Sequence, residues 1–427
     1  MTIENNNKLD LPEKIRTKVN IPNQQDQMAR QAQMAQQDQQ PVEINPTEDG
    51  GVEVDFDPGA LAGVGSQTHD ENLADLLEDS ELAEIGSMVV ENYEDNKSAR
   101  QDWEDAYTKG LDLLGFKYEN RSDPFQGASG ATHPVLAEAV TQFQSLAYKE
   151  LLPASGPVRT QIIGKVDVTK EDQADRVKEF MNYSLMVKMK EYEPEFDQML
   201  FNLPLAGSTF KKVYYDSIMQ RCVSKFIPAE DLVVPYTATS LEDAESITHS
   251  IRMSGNELLK YQLSGFYSDV DLTPKDPSST DLIDKKDRIS GVSSGAKDEV
   301  VTLLECHCEL DLIGFQDVNQ EGEATGLKLP YIVTVDEDSG TVLSIRRNFD
   351  AQDPTRARKD YFVHFKFLPG LGFYGFGLIH MIGGLSRTAT AALRQLLDAG
   401  TLANLPSGFK QRGIKVRDEA QPLQPGE

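Results

Sequence analysis

Apolar positions along the chain recur first at helical spacing and later at strand spacing. Leu82, Ile85, Val89 and Tyr93, then Trp103, Tyr107, Leu111 and Leu114, follow a 3.6-residue period. They predict one long helix or two, ending near Gly115. Residues 120–130 are loop by composition. Thr132 is placed to cap the next helix, with Pro134 in its first turn, a stripe of Leu136, Ala139, Phe143, Leu146 and Leu151, and Pro153 as its stop. A further helix is expected after Thr169. Glu171 and Asp172 lie at its positive end, and Ala174, Val177, Phe180 or Met181, and Leu185 form its apolar face. A short helix from Pro194 carries Phe196, Leu200 and Leu203.

The period then shifts toward two. Residues 210–215 and 221–227 read as a strand pair, and 231–235 continue in extended form. Residues 241–264 are expected to be helical, on Leu258, Leu259 and Tyr261. Residues 264–299, rich in Ser, Asp, Gly and Lys, are expected to be a long exposed loop. Three β-rich runs, 300–315, 329–349 and 361–369, suggest a meander, with Asp338, Ser339 and Gly340 as a hairpin turn. After Pro369, closely spaced glycines lead into an amphipathic helix. Its expected stripe is Leu378, Ile382, Leu385, Ala389, Ala392, Leu393, Leu396 and Ala403. The pattern as a whole is α+β: a helical N-terminal part, a mixed α/β body and a long helix near the C-terminus.

Composition changes this picture at the N-terminus. Residues 1–70 are rich in Gln, Gly, Pro and acidic residues and are expected to form a disordered tail, since they carry too little apolar surface to offset chain entropy. The first 100 residues hold 21 acidic and 7 basic side chains, a net of −14 within a total of −27. So acidic a chain is no generic nucleic-acid binder, which needs clustered positive charge, and it disfavours an anionic membrane surface as partner. Three cysteines in 427 residues make no disulfide framework and point to a reducing compartment. No apolar run reaches transmembrane length, and the first residues lack the apolar core of a secretory signal, so a protein made in the cytoplasm with no membrane partner is expected.

The candidate chemistry is sparse. Gly370, Gly372 and Gly375 match G-x-G-x-x-G after a strand and before a helix, the pattern by which a backbone approaches a pyrophosphate. The acid expected about 20 residues on falls at Asp398, inside the helix, and Phe373 and Tyr374 are bulky where a phosphate must approach. Nucleotide binding through 370–375 therefore stands as the alternative to a flexible strand-to-helix joint. Cys306, His307 and Cys308 alternate on a strand without a second ligand pair and read as buried strand residues. Asp336, Glu337 and Asp338 read as a solvated turn, and Ser129 lacks the strand that would precede a nucleophile elbow. The six histidines are scattered, and no P-loop occurs. Catalytic, cofactor-binding and metal residues are all expected to be none, and the chain is expected not to be an enzyme.

The order of several segments carries a resemblance. ATHPVLAEAVTQFQSLAYKELLP is followed by FNLPLAGSTFKKVYYD and by FIPAEDLVVP. Last comes FLPGLGFYGFGLIHMIGGLSRTATAALRQLLDAGTLANLPSG, with Phe373, Tyr374, Gly375, Phe376 and Gly377 leading into a helix that holds Arg387, Arg394 and Asp398. This succession resembles the portal proteins of tailed bacteriophages, most closely the large portals of short-tailed phages, over residues 75–427. The resemblance implies a ring, typically of twelve copies, at one capsid vertex, assembled in the host cytoplasm and carried in the virion. It implies a wing over 71–375, a stem-like helix over 376–405 and the start of a clip-like region over 406–427. The remaining clip, second stem helix and crown are then expected to lie beyond an N-terminal portion. The partners it implies are other copies of the chain, the terminase large subunit, tail adaptors, a major capsid or scaffold protein, and double-stranded DNA passing through the channel without sequence-specific binding. On this reading Gly370, Gly372, Gly375 and Gly377 form a wing-to-stem joint. Leu378, Ile382, Leu385, Ala389, Leu393 and Leu396 then pack the stem helix.

Overall fold

A computed structural model describes residues 43–46, 52–55, 69–116, 120–123, 125, 127–216, 219–275, 280–292, 299–318 and 324–404. The chain divides into two units, 1–69 and 70–427. In the first, the backbone of β1 (Glu43–Pro46) pairs antiparallel with β2 (Val52–Asp55). The rest of the expected disordered tail up to residue 68 lies outside the described residues.

The described residues of the second unit form eight α-helices and two antiparallel sheets. Helix α1 (Asp79–Ala99) meets α2 (Gln101–Leu111) at Arg100, whose non-helical backbone breaks the run in two. A 3-10 turn follows, and Gly115 ends it at φ 70°, where only glycine is unstrained. Helices α3 (Val135–Leu151), α4 (Val168–Tyr183) and α5 (Tyr192–Ala206) complete the N-terminal helical part. Pro134 occupies the N-cap position of α3 without a side-chain cap, so Thr132 is not the capping residue expected.

The chain then enters β3 (Ser208–Asp216), β4 (Arg221–Pro228) and the short β5 (Leu232–Val233), followed by β6 (Ser246–Ser254) and α6 (Gly255–Leu263). The helix expected over 241–264 is thus a strand from Ser246 to Ser254 and a helix only from Gly255 to Leu263. Ile247, His249, Ile251 and Met253 alternate along that strand, and Ser254 ends it by capping α6, its Oγ accepting from Glu257 N at 3.3 Å. The expected loop at 264–299 contains α7 (Asp281–Ser290). Thr280 caps it, Gly291 closes it in the left-handed region, and its one fully buried side chain, Leu282, joins the core beside Tyr107. Its polar composition hid it, because a helix held down by one leucine shows no wide apolar stripe.

Strands β7 (Val300–Leu310), β8 (Leu329–Asp336) and β9 (Val342–Arg347) make the expected meander and extend it to a five-stranded sheet ordered β5-β6-β7-β8-β9. The third β-rich run does not join it. Strand β10 (Phe362–Lys366) crosses to the other sheet and pairs with β3, giving the order β10-β3-β4. Helix α8 (Leu378–Asn404) follows.

The expected stripe of α1 packs over the five-stranded sheet. Val89, with Leu82 and Ile85, meets Cys306, Val333, Val335, Val342 and Ile345. Gly86 sits where α1 crosses the β8–β9 hairpin, and a Cβ there would overlap the carbonyl of Gly340. Between the two sheets, Phe210, Ile227, Leu232, Ile247, Phe362 and Phe373 form a second core. One polar link spans the same junction. Lys212 Nζ on β3 reaches both Glu305 oxygens on β7 at 2.5 and 2.6 Å, and His307 Nε2 lies 2.8 Å from Glu305 Oε1.

Candidate functional site

The sequence singled out the passage from β10 through the glycines into α8. Its geometry starts one element earlier. Helix α5 ends at Ala206, and Gly207 turns the chain into β3 at φ 90°, its N–H donating to Leu203 O at 2.9 Å. The passage after β10 lies directly on that turn. Phe367 N donates to Gly207 O at 3.0 Å, Gly375 N to Ser208 Oγ at 2.8 Å, and Phe376 N to Leu368 O at 2.8 Å. A Cβ on Gly375 would come within 2.6 Å of Gly207 O. One on Gly377 would come within 2.7 Å of Gly207 N and 2.9 Å of Ala206 C. Three glycines therefore let two backbone segments cross with no side chain between them.

Of the four expected joint residues, the structure brings Gly375 and Gly377 into this crossing. Gly370 lies against the ring of Phe376, and Gly372 stands in open space beside the fully exposed Leu371. None of the four has the left-handed φ that would demand glycine by conformation; at Gly375 and Gly377 the demand is steric. Gly207 was missed. The signal available was a lone glycine between an apolar helix and a strand, which reads as a C-cap but does not name its partner.

The aromatic residues of the passage are built inward. Phe373 stacks on Phe210 at 5.9 Å and lies 4.7 Å from His364. Burial holds His364 down to about 3, so it is neutral. Tyr374 stacks on Trp103 at 4.6 Å, and its hydroxyl accepts from Arg100 at 2.9 Å. Arg100 also donates to the carbonyls of Ala229 (3.1 Å), Glu230 and Leu232 (2.8 Å). The α1–α2 break, the β4–β5 turn and the glycine passage are thereby tied to one buried guanidinium.

Helix α8 has a polar clamp. Thr390, Arg394 and Asp398, one turn apart, hold the loop that leads into α3. His133 N donates to Thr390 Oγ1 (3.1 Å), Arg394 Nε to Ala131 O (2.7 Å), and Ser129 N to Asp398 Oδ1 (2.6 Å). The amide–carboxylate bond is charge-assisted, so Asp398→Ala is expected to lower stability by about 2 kcal/mol, read as a shift in urea midpoint at unchanged m-value. Beside the clamp, a groove of about 1200 Å³ runs between α2, the 121–132 loop and α8, with Arg121, Arg387 and Arg394 along it.

The expected packing stripe of α8 divides. Leu378 and Ile382 pack against the core holding Ile379, and Ala389 and Leu393 are half-buried. Leu385 and Leu396 are 68% and 72% exposed. The face that α8 buries within the chain is Ile379, Gly383, Ser386, Thr390 and Asp398. At 100° per residue, Met381, Leu385, Ala392, Leu396 and Ala399 form a second, outward apolar stripe roughly opposite it.

The remaining candidates fall into structural places. Cys306 is buried under α1 with Cys308 packed beside it, while His307 turns to the other face against Phe362 and Tyr361. Asp336 accepts from Ser339 N (2.9 Å) and Oγ (2.6 Å), shaping the hairpin, and Asp338 pairs with Lys275 at 3.2 Å. Among the described residues no group of three His, Cys, Asp or Glu side chains could hold a metal ion, and no helix is long and apolar enough to cross a membrane. No family model and no curated protein matches this chain.

Proposed function

We propose that this chain is the wing and first stem helix of a bacteriophage portal protein, a ring-forming conduit at one capsid vertex through which DNA is packaged and ejected. The observation that carries the reading is α8. It is a 27-residue helix, anchored at its start by the glycine crossing, that buries one face within the chain and carries a separate apolar stripe roughly opposite it in solvent. An exposed apolar stripe gains by a second packing partner, and identical copies arranged head to tail supply one when the rotation closes. The order of segments over 75–427 supports the same reading. So does the net charge of −27, which lets a polyanion slide past without tight phosphate binding.

On this reading the partners are other copies of the chain, terminase, tail adaptors and a capsid or scaffold protein, and the place of action is the virion vertex. Catalysis has no part in it. The alternative role for 370–375, cradling a pyrophosphate, is disfavoured by where the amides go. Gly375 and Phe376 spend theirs on Ser208 and Leu368, Gly377 on His380 Nδ1 at 3.1 Å, and Phe373 fills the space below.

Light scattering and negative-stain imaging test the proposal. The expected result is a closed ring with a central hole of DNA width; a species that stays monomeric at high concentration overturns it. Melting in millimolar ATP or NAD separates the alternative, since a ligand at 100 times its Kd raises stability by about 2.7 kcal/mol. No shift is expected, and a saturable upward shift would favour the nucleotide reading; an assembly that is not a twelvefold ring would favour another virion structural or adaptor protein.

A further inference from the structure

The core under α1 holds a pair of thiols among its aliphatic side chains. Cys306 and Cys308 stand two residues apart on β7, so they share one face of the sheet. The register sets Thr248 of β6 beside the first and Ser246 beside the second. Two thiols and two hydroxyls therefore form one patch, because directly opposed residues on neighbouring strands face the same side. Within the patch, Cys306 Sγ accepts from the Cys308 thiol and from the Thr248 hydroxyl. Packing alone would be met by valine or alanine at both cysteine positions.

The patch is open at one end. Cys306 is buried, but Cys308 is partly exposed and lines a groove of about 850 Å³ between α1, the start of β6 and the end of β7. Met88 lines the same groove from α1 and is 36% exposed. Five carboxylates, of Glu81, Glu84, Glu245, Glu309 and Asp311, surround it against the one ammonium of Lys328. That excess of negative charge concentrates cations at the opening.

We infer that Cys306 and Cys308, with Met88 as a third donor, bind one soft monovalent cation of the copper(I) type. Thiolate and thioether sulfur select copper(I) over harder ions. A structural zinc ion needs four ligands, and among the described residues no group of three His, Cys, Asp or Glu side chains is placed to hold a metal ion. Copper(I) is complete with two or three. The strand also disfavours a disulfide. At about 3.3 Å per residue, the two Cα atoms lie about 6.6 Å apart, near the upper limit a disulfide spans. One cation held between the sulfurs needs no S–S bond. Binding exchanges two thiol protons for one Cu⁺: each sulfur becomes a thiolate and forms one S–Cu bond, both protons leave to solvent, and the copper keeps its oxidation state. The site lies within a single copy of the chain, so it stands apart from the ring proposal.

The probe is copper(I) itself, supplied without oxygen as the complex of a chromophoric chelator. The full chain is used with its exposed third thiol removed by Cys222→Ser. It is expected to withdraw one equivalent of copper(I) per chain. In that background, Cys306→Ala and Cys308→Ala should each weaken binding about a hundredfold, and Met88→Leu about tenfold. Copper(I) should raise the melting midpoint of the Cys222→Ser chain and leave that of its Cys308→Ala derivative unchanged. No uptake, or equal uptake after Cys308→Ala, overturns the inference, and the second result would mean adventitious metal only. Zinc(II) bound as tightly as copper(I) overturns it too. A further measurement leaves the site unsubstituted, in case Cys306→Ala fails to fold. Alkylation of Cys308 by iodoacetamide, followed by peptide mass, should slow about tenfold when copper(I) is present, since the thiolate is then a ligand. An unchanged rate removes the site.

Discussion

Lys212→Met is expected to lower stability by about 3–5 kcal/mol, the loss that follows when one partner of a buried ion pair is removed. Lys212 and Glu305 are largely buried, at 11% and 13% side-chain exposure, and their bond is the polar link between the two sheets. Removing the ammonium leaves Glu305 charged and largely buried beside His307, with no lysine or arginine in contact. The double variant Lys212→Met with Glu305→Gln should recover most of the loss, because the amide still accepts from His307 and no charge remains buried. A double-mutant cycle in urea should return a coupling of at least about 2 kcal/mol. Equal losses in single and double variants would mean that the pair only fills space.

The same junction sets an acid limit. Lys212 and His307 hold the Glu305 carboxyl well below its usual range despite burial. Burial, with Lys212 nearby, holds His249 down to about 3. Both folded values lie below their unfolded ones, so the unfolded chain binds more protons, and stability falls as pH falls. For His249 the window opens near 6.5 and runs to about 3; for Glu305 it begins near the ordinary carboxylate value and continues downward. Thermal melts across pH 7 to 4 should show a falling midpoint, with a shallower fall in His249→Phe. A flat profile would mean that these groups titrate alike in both states.

Gly377→Ala is the second large loss, expected at about 3 kcal/mol from overpacking. Its Cβ would enter the backbone of 205–207 rather than a movable side chain, so relief requires α8 to shift away from α5. Gly372→Ala, facing open space, serves as the control and should stay within about 0.5 kcal/mol of the parent. The pair separates sterics from flexibility. If a hinge were the reason for these glycines, Gly372→Ala would impair assembly while leaving the monomer's melting midpoint unchanged. If close approach is the reason, Gly377→Ala lowers the midpoint before any assembly is measured. Trp103, the only tryptophan, stacks on Tyr374 in the same passage and reports loosening there by its fluorescence.

Where the physics is local, the sequence was legible. Leu82, Ile85, Val89 and Tyr93 named the buried face of α1, because helical spacing alone decides which side chains can share a side. The alternation at 306–308 placed two thiols on one face of β7 and His307 on the other. The turn at 338–340 followed from residue types that tolerate tight backbone. The same local logic failed where two signals competed. Leu258 and Leu259 drew a helix backward over β6, and the polar surface of α7 concealed its capping residues.

The sequence by itself determined the class of fold, the order of most elements and the presence of a long, glycine-preceded amphipathic helix, since each depends on neighbours within a few turns of chain. Only the tertiary structure decided that β10 belongs with β3, that Gly207 is the counterpart of Gly375 and Gly377, and that Lys212 answers Glu305. It alone divided the apolar residues of α8 between an inward and an outward face. Those outcomes pair residues about 90 to 170 positions apart. A single sequence carries no record of such distances, because any of several strands, glycines or lysines meets the local requirement equally well, and packing selects one.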